Sequence, residues 1–435
     1  MRQLCSHIRQ LLRRRIVANA LSLYGIQGLN YLMPLILLPY LLRVLGPSGY
    51  GPIALAQSLM GYGLVLTDFG FNSTAARDIS VARDDPRAMA RIYWTTAAAK
   101  LLLLLVSALA LAAAVAAIPA FRREWPIFLS CSLMLVGNAA FPQWYLHGLE
   151  RLREAALLQA CAKVSIAAGT FLFVHAPQDA WKAAVLTSAP QLLGLTAAAI
   201  LRKPIAPAIF YRPRLSDVRD ALAGSWHLFI STVATTLYGQ TNTLVLGLMV
   251  GDRAVALYNV AERLVLALQG LATPLTQAVF PRASLLFATD RARAWRLIER
   301  MVGVILPVIG GSALLLAVFA PTVVRLIGGH AYDDAATVVR IMAITPVLVA
   351  AGALPAQMII VSARLTRQLF RIYATVGLLN VALLPALVYT LHERGAAISL
   401  VIADSLVALL MIRLAAKARD VADDGGRIAE PRSVP

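Results

Sequence analysis

Charged residues are scarce in this chain of 435 residues. Asp, Glu, Lys and Arg together make up 14% of the sequence, while apolar residues make up 59%. Soluble domains carry roughly 25% charged and roughly 45–50% apolar residues, so the composition excludes an ordinary soluble protein. Helical spans of about 20 apolar residues joined by short loops would account for the whole length. We therefore expect one membrane domain and no large soluble domain.

Cysteine is scarce, with three residues, and the common catalytic motifs are absent from the sequence. Cys5 precedes the first apolar run, and Cys131 and Cys161 lie inside apolar runs, so no extracellular pair is available for a disulfide framework. The sequence contains no G-x-x-x-x-G-K-[ST] phosphate loop and no H-E-x-x-H metal motif, which disfavours a self-contained ATPase and a zinc protease. We expect a protein that is not an enzyme, with no cofactor and no metal site.

Acidic residues are few, 22 against 40 Lys and Arg, and the formal net charge is +18. A nucleic-acid-binding protein would gather such charge on one face or tail. Here the basic residues recur between apolar runs instead. We therefore interpret the charge as a signal of membrane topology and expect no nucleic-acid partner.

Apolar runs of the length that spans a bilayer recur along the whole chain. They predict an all-α polytopic membrane protein with 12 transmembrane helices, near residues 17–42, 52–70, 93–117, 126–146, 155–175, 181–201, 226–250, 254–280, 301–324, 337–361, 369–391 and 395–415. Prolines inside these runs predict kinks, since proline cannot donate the helical hydrogen bond. Membrane helices tolerate such kinks because neighbouring helices can satisfy the freed carbonyls. Examples are Pro274, Pro307, Pro346 and Pro385.

The distribution of Lys and Arg tests this topology. If the N-terminus is cytoplasmic, the cytoplasmic segments carry 29 of the 40 basic residues and the opposite side carries 8. Cytoplasmic loops of membrane proteins are enriched in this way. An error of one helix would switch every later loop to the other side and remove the imbalance. The charges thus predict an even number of spans with both termini cytoplasmic.

The spans divide into two sets of six. We predict an N-terminal lobe over residues 1–201, a proline-containing cytoplasmic linker over 202–225, a C-terminal lobe over 226–416 and a disordered polar tail over 417–435. Aligning Gly46 with Gly251 also aligns Ala56 with Ala261. Such a repeat predicts a substrate site in a central cavity between the lobes, although chance similarity between apolar helices is the alternative.

Polar residues inside the predicted spans are the candidates for function. A charge near mid-bilayer costs at least roughly 2.5–3.5 kcal/mol, so it normally faces protein or water. Asn259 and Glu262 share one face of the eighth helix, and Arg263 borders that face. Asn242 and Asn30 lie on polar stripes of the seventh and first helices. The alternative is that these amides only join helices.

Three further charges lie in predicted spans. Lys100 and Lys163 suit a cavity for an anionic substrate, but each could instead extend its ammonium group to the membrane interface. Asp404 is either a proton-responsive group or the partner of a nearby cation. The sequence does not decide between these alternatives.

Asp68 lies near the cytoplasmic end of the second predicted helix, within the segment Asp68-Phe69-Gly70-Phe71-Asn72. The simpler interpretation is a helix end followed by a polar turn. The alternative is a cytoplasmic gate in which Asp68 pairs with a cation in one state. Arg77 would then meet phosphate when that pair is open, because guanidinium forms charge-assisted hydrogen bonds to phosphate.

Two blocks of sequence resemble polysaccharide-biosynthesis flippases of the Wzx type. The first contains Asn30-Tyr31-Leu32-Met33-Pro34, Pro39-Tyr40-Leu41-Leu42-Arg43 and Asp68-Phe69-Gly70-Phe71-Asn72. The second contains Tyr258-Asn259-Val260-Ala261-Glu262-Arg263 and the segment from Pro274 to Arg282. The resemblance covers both halves of the chain.

The resemblance implies membership of the multidrug/oligosaccharidyl-lipid/polysaccharide exporter superfamily, with two six-helix lobes and alternating access. It implies transport of a polyprenyl-pyrophosphate-linked oligosaccharide (an O-antigen, lipopolysaccharide, capsule or exopolysaccharide unit) across the bacterial cytoplasmic (inner) membrane. Membrane lipids and polysaccharide polymerase or assembly proteins are the implied partners. The family offers no catalytic set to carry over.

The site prediction combines this implied substrate with the polar residues above. The candidates for substrate binding, which include the basic residue that closes the second block, are Arg263, Arg77, Lys163, Arg282, Asn30, Asn242 and Asn259. The candidates for proton or sodium coupling, or for a gate, are Glu262, Asp68 and Asp404.

Three alternatives stay open. A drug or organic-cation exporter of the same superfamily predicts a cavity rich in carboxylates and aromatic rings, and a lipid II flippase would usually have more than twelve helices. A membrane glycosyltransferase or polymerase would need acidic residues or histidines on large outer loops. The largest outer loop offers only His330, Asp333 and Asp334, which disfavours this enzyme class.

Overall fold

The computed structural model describes residues 2–201, 205–353, 355–356, 359 and 366–427. These residues form helices and turns, and none of them lies in a β-strand, so the all-helical prediction is confirmed. The chain divides into two compact units, Met1–Thr232 and Val233–Pro435. We call them unit 1 and unit 2.

Unit 1 contains long helices and several short ones. In chain order they are α1 (Arg2–Asp68), α2 (Phe71–Val81), α3 (Pro86–Ala117), α4 (Pro119–Arg123), α5 (Trp125–Cys131), α6 (Leu133–Ala140), α7 (Gln143–Gly148), α8 (Leu152–Phe173), a 3-10 turn (Pro177–Asp179), α9 (Ala180–Ser188) and α10 (Pro190–Ile200). The next helix, α11 (Leu215–Met249), begins in unit 1 and continues into unit 2.

Unit 2 follows the same pattern of long helices joined by short ones. It contains α12 (Asp252–Gly270), α13 (Thr273–Thr289), α14 (Arg291–Val318), α15 (Ala320–Gly328), a 3-10 turn (His330–Tyr332), α16 (Ala335–Met342), α17 (Thr345–Leu348), a π-helical turn (Val349–Ala353) and α18 (Thr366–Arg427). Part of the predicted linker is therefore the start of α11, and α18 extends into the predicted tail.

Local sequence signals explain where several helices begin. Asp85 caps α3 by accepting hydrogen bonds from the backbone N–H groups of Arg87 and Ala88 at 2.9 and 3.1 Å, and Pro86 occupies the first turn. A carboxylate at this position satisfies N–H groups that have no partner within the helix. Asp290 caps α14 in the same way, through the N–H of Arg293.

Prolines affect the predicted spans in two ways. Pro307 and Pro385 lie inside α14 and α18. Pro274 and Pro346 instead stand in the first turns of α13 and α17, where a missing N–H costs nothing. The predicted span 254–280 is thus divided between α12 and α13, and the predicted span 126–146 is divided among α5, α6 and α7.

Two glycines break helices at matching places in the two units. Gly46 interrupts α1 with φ 65° and ψ 178°, and Gly251 separates α11 from α12 with φ 112° and ψ −175°. Positive φ favours glycine because it has no Cβ. These are the glycines that the sequence alignment of the two halves placed opposite each other.

Six helical segments in the described part of the chain are long and apolar enough to cross a membrane. They are Pro86–Ala117, Trp125–Gly148, Leu152–Phe173, Arg291–Val318, Ala335–Ala353 and Arg367–Lys417, and a bent pair, Pro177–Ser188 with Pro190–Ile200, would make a seventh. The chain is therefore a multi-pass membrane protein. The long helix α18 covers two predicted spans and is broken at His392 (φ 52°).

Each unit has its own apolar core. In unit 1, Phe69, Phe71, Tyr93 and Trp144 pack together where α1, α2, α3 and α7 meet. In unit 2, aliphatic side chains of α14 and α18 pack together, among them Ile298, Ile305, Ile309, Val407 and Met411. These cores fix the helices that carry the polar residues described next.

Candidate functional site

The turn after α1 places the predicted gate residue Asp68. Phe69 (φ 48°) and Gly70 (φ 84°) both have positive φ, so the helical path is broken before α2 begins at Phe71. A Cβ on Gly70 would stand 2.9 Å from the Cβ of Leu228, so only glycine fits here without a shift. The ring of Phe69 stacks on that of Phe229 at 4.2 Å, which fixes the turn against α11.

Asp68 pairs with a buried lysine from α3. The Nζ of Lys100 lies 3.7 Å from Oδ1 of Asp68, and the side chain of Lys100 is 1% exposed while that of Asp68 is 24% exposed. Burying an ammonium group is costly unless a counter-charge compensates it. The structure therefore favours the paired position for Lys100 over extension to the interface.

A cavity of about 400 Å³ lies in unit 1 among α2, the first turns of α3 and the first turns of α11. Five charged residues line it, namely Arg77, Asp78, Arg91, Asp217 and Asp220. Four hydroxyl residues line it as well, namely Thr74, Thr95, Thr96 and Ser225. The walls therefore combine charge-paired groups with hydrogen-bonding hydroxyls.

Both arginines of the cavity are held by carboxylates. Arg77 donates from Nε and Nη2 to Oδ1 of Asp78 at 3.1 and 3.0 Å. Arg91 donates from Nη2 to Oδ1 of Asp217 at 2.5 Å. Arg77, predicted to meet phosphate, is thus exposed and bound to the neighbouring carboxylate.

Asp217 also fixes the segment that precedes α11. Its Oδ2 accepts hydrogen bonds from the N–H of Arg214 at 3.0 Å and from the hydroxyl of Tyr211 at 2.8 Å. The Arg214 N–H, with Arg91 and Tyr211, lowers the pKa of Asp217 from 3.8 to about 2. Trp94 donates from Nε1 to the carbonyl of Ile209 at 3.0 Å, so α3 holds this segment at two places.

Unit 2 contains a buried network of amides and hydroxyls. Asn380 donates from Nδ2 to Oδ1 of Asn242 at 2.9 Å, and its Oδ1 accepts a hydrogen bond from the hydroxyl of Ser399 at 2.6 Å. Asn242 in turn donates to the hydroxyl of Tyr258 at 3.2 Å and to the carbonyl of Ala396 at 3.4 Å. The network joins α11, α12 and the parts of α18 before and after its break at His392. This favours the helix-joining alternative for Asn242.

The polar face of α12 is formed as the spacing predicted. Asn259 is buried and donates from Nδ2 to Oε2 of Glu262 at 3.2 Å. Arg263, the next residue, is exposed, and it interacts electrostatically with Glu262. These three candidates belong to unit 2, whereas Asp68 and Arg77 belong to unit 1.

The remaining candidates lie apart. Asp404 is buried in α18, Lys163 is half-buried in α8, and Arg282 is exposed on α13. Among the described residues Lys163 has no ion-pair partner. The side chain of Asn30 lies outside the described part of the chain. The described residues also contain no group of three His, Cys, Asp or Glu that could hold a metal.

Several residues of these clusters were not predicted. Arg91 and Asp217 are 126 positions apart in the chain, and Asn380 is 138 positions from Asn242, so no local spacing links them. Thr95 could not be singled out from the sequence, because threonine is common in membrane helices. The one available signal for Asn380 was its amide inside the eleventh predicted span, since polar side chains within membrane helices often join neighbouring helices.

The chain matches the family model described as polysaccharide biosynthesis protein over residues 16–287. It is 31% identical to a candidate O-antigen transporter of Escherichia coli (strain K12) over 91% of this chain and 95% of that protein. A second candidate O-antigen transporter, from Shigella dysenteriae, is 26% identical over 91% of this chain and 98% of that protein.

Solved structures of transporters share the fold at low sequence identity. The lipid II flippase MurJ in an inward closed conformation aligns with a TM-score of 0.71 and 13% identity, covering 91% of this chain and 87% of that one. An inward-facing multidrug resistance MATE transporter of the MOP superfamily aligns with a TM-score of 0.68 and 14% identity, covering 90% of this chain and 99% of that one.

Proposed function

Since this chain belongs to the polysaccharide biosynthesis protein family, we propose that it is a flippase for a polyprenyl-pyrophosphate-linked oligosaccharide. The observation that carries the proposal is the similarity to candidate O-antigen transporters along 91% of the chain. The substrate would be an O-antigen, capsule or exopolysaccharide repeat unit, and the membrane would be the bacterial cytoplasmic membrane. The activity is transport by alternating access, and no catalytic step is assigned.

The physical task is to move sugars and a pyrophosphate through a layer that penalises polar groups. Buried polar side chains in a membrane protein lower that penalty, because they replace water around the substrate. The polyprenyl tail can stay in lipid. Binding alone sets no direction, so net transport requires an ion gradient or consumption of the product on the far side.

The finer topology is part of the proposal. Twelve spans with both termini cytoplasmic are supported by the 29 to 8 distribution of basic residues. The matching backbone breaks at Gly46 and Gly251 support a repeat of two six-helix halves. The boundaries at residues 201, 225 and 416 and the central cavity remain predictions from sequence.

The roles of individual residues are also proposals. We propose that the Asp68–Lys100 pair is the closed form of the gate, supported by the burial of Lys100. Glu262 and Asp404 are the other carboxylates for proton or sodium coupling. The proposed residues for contact with the substrate are those predicted from the sequence, namely Arg263, Arg77, Lys163, Arg282, Asn30, Asn242 and Asn259. The support is weakest for Asn242 and Arg77, whose hydrogen bonds already engage other side chains.

Deletion of the gene tests the function. We expect a polyprenyl-linked oligosaccharide to accumulate on the cytoplasmic side and the corresponding surface glycan to be lost, and a plasmid copy to reverse both. Accumulation of lipid II would instead indicate the flippase alternative of the same superfamily. Unchanged glycan without any accumulated intermediate would rule out the proposed function.

A further inference from the structure

We propose that residues 209–215, within the predicted linker, form an anchor in the membrane interface that binds the headgroups of anionic phospholipids. The segment belongs to unit 1 and ends where α11 begins at Leu215. The proposal goes beyond the proposed function, because the lipid here is part of the surrounding membrane and not the transported substrate. It gives a physical role to a segment that otherwise only connects α10 and α11.

The segment is held against its own unit by hydrogen bonds. The hydroxyl of Tyr211 donates to Oδ2 of Asp217 at 2.8 Å, and the same oxygen accepts a hydrogen bond from the backbone N–H of Arg214 at 3.0 Å. Trp94 of α3 donates from Nε1 to the carbonyl of Ile209 at 3.0 Å. These bonds fix the path of the segment, and with it the side chains that face away from the protein.

Three large apolar side chains of the segment are exposed. Phe210 is 69% exposed, Leu215 is 81% exposed and Ile209 is 42% exposed. The ring of Phe210 stands edge-on to the ring of Trp94, with 4.8 Å between the ring centroids. Exposed apolar groups that lie together mark an interaction surface, and aromatic rings are enriched where hydrocarbon meets the lipid headgroups. The surface therefore suits the membrane interface.

Trp94 stands on the face of α3 that meets lipid. Leu101, Leu105 and Leu109 follow it at spacings of 7, 4 and 4, which keeps all four residues on one helix face. The three leucines are exposed, and α3 is long and apolar enough to cross a membrane, so this face belongs in hydrocarbon. Trp94 begins the face, three residues after the exposed Arg91. Its contacts therefore set residues 209 and 210 at the edge of the hydrocarbon.

The charge of the segment favours an anionic lipid. Arg212 and Arg214 are exposed, and among the described residues neither belongs to an ion pair. Residues 209–215 include no acidic residue, and further along α11 Arg219 offsets the charge of Asp220. Asp217 is already engaged by hydrogen bonds. Guanidinium groups bind phosphate through charge-assisted hydrogen bonds, and arginines beside a membrane surface favour anionic headgroups.

The depth of the segment is the first test. A nitroxide is attached at Phe210→Cys in full-length protein that lacks the three native cysteines and is held in lipid nanodiscs. Electron paramagnetic resonance measures its collisions with oxygen and with a water-soluble nickel chelate. Asp84→Cys, in the exposed turn between α2 and α3, is the aqueous control, and Leu105→Cys is the hydrocarbon control.

We expect the nitroxide at position 210 to meet the chelate several-fold less often than at Asp84→Cys but more often than at Leu105→Cys. Collisions with the chelate as frequent as at Asp84→Cys would place the segment in water and overturn the proposal. Exclusion of both oxygen and the chelate would show that a protein covers the segment, and would overturn it as well.

The preference for anionic lipid is the second test. A fluorophore at Phe210→Cys is quenched by brominated phosphatidylglycerol or by brominated phosphatidylcholine, in nanodiscs with the same total content of each headgroup. We expect stronger quenching by phosphatidylglycerol. Arg212→Gln combined with Arg214→Gln should lower this preference by about fivefold for each arginine that contacts a headgroup.

The matched control is Arg212→Lys combined with Arg214→Lys, which keeps both charges and should keep most of the preference. All these variants retain the backbone N–H of residue 214 that binds Asp217, so the segment stays fixed. Equal quenching by the two lipids in the unsubstituted segment, or an unchanged preference in the glutamine variant, would contradict the proposal.

Inorganic pyrophosphate separates a membrane lipid from the pyrophosphate of a substrate. Added at constant ionic strength, it should not reduce the quenching by brominated phosphatidylglycerol, because the apolar side chains of the segment contribute nothing to the binding of a free anion. Displacement of the lipid would assign the arginines to a pyrophosphate site and overturn the anchor. Neither measurement depends on translocation, so the anchor and the proposed function stand or fall separately.

Discussion

Among the described residues, most of the buried side-chain oxygens that have no hydrogen-bond partner belong to unit 1. Unit 2 also contains the unpartnered hydroxyl of Thr345 and the buried carboxyl of Asp404, but its largest polar cluster is satisfied. In unit 1 the buried polar groups include the Asp68–Lys100 pair at 3.7 Å and the unpartnered hydroxyl of Thr95. In unit 2 the amides of Asn242 and Asn380 satisfy each other and the hydroxyl of Ser399 at 2.6–2.9 Å. A satisfied network specifies packing, whereas an unsatisfied buried group is unfavourable and would gain a partner only after a change of state.

The largest expected effect breaks the charged pair of unit 1. Asp68→Ala leaves the buried Lys100 without a counter-charge, which should lower the free energy of unfolding by about 3–5 kcal/mol. Adding Lys100→Met should restore most of this loss. Denaturant titration in detergent micelles measures both, and Lys163→Met is the control. Wild-type stability of Asp68→Ala would show that the pair contributes nothing.

The network of unit 2 should give the next largest effect. Asn380→Leu removes a donor to Asn242 and an acceptor for Ser399, and should cost about 1–3 kcal/mol of unfolding free energy. Ser405→Ala is the control, because the hydroxyl of Ser405 donates to the carbonyl of Val401 in its own helix. Equal losses in the two variants would remove the distinction between the network and a local hydrogen bond.

A smaller effect concerns the segment held by Asp217. The pKa of Asp217 is lowered to about 2 in the folded protein, so its contribution to stability is complete above roughly pH 4 and is lost as the pH falls toward 2. Asp217→Asn should therefore unfold more easily than wild type at neutral pH, and the difference should shrink in acid. Thermal unfolding followed by tryptophan fluorescence measures this, and a constant difference would contradict it.

The smallest effect is expected for an exposed ion pair of unit 2. Arg253 donates from Nη2 to Oδ2 of Asp334 at 3.0 Å, and both side chains are more than 60% exposed. Exposed pairs contribute about 0–1 kcal/mol, so Arg253→Ala should change the unfolding free energy by no more than this. A loss of unfolding free energy larger than that of Asn380→Leu, measured in the same denaturant titration, would show that this surface pair contributes more to stability than the buried network.

The all-helical membrane class could be predicted from the sequence, because long apolar runs report the membrane directly. The twelve spans and the cytoplasmic termini, which rest on the basic loops, stay predictions. The face that joins Asn259 to Glu262 was also predictable, since helical spacing is local. The pair of Arg91 with Asp217 and the pair of Asn242 with Asn380 were not, because tertiary packing brings together residues more than 100 positions apart. The sequence also left open whether Lys100 lines a cavity or extends to the membrane interface, and its buried pair with Asp68 could not be foreseen because the two residues are 32 positions apart.

The most direct test of the difference between the units is the rate of translocation per folded molecule. It is measured in proteoliposomes with a polyprenyl-pyrophosphate-linked oligosaccharide. We predict that Asp68→Asn combined with Lys100→Met is about tenfold slower than wild type, whereas Asn380→Leu is close to wild type once corrected for folded protein. A fast double variant together with a slow Asn380→Leu would contradict the account.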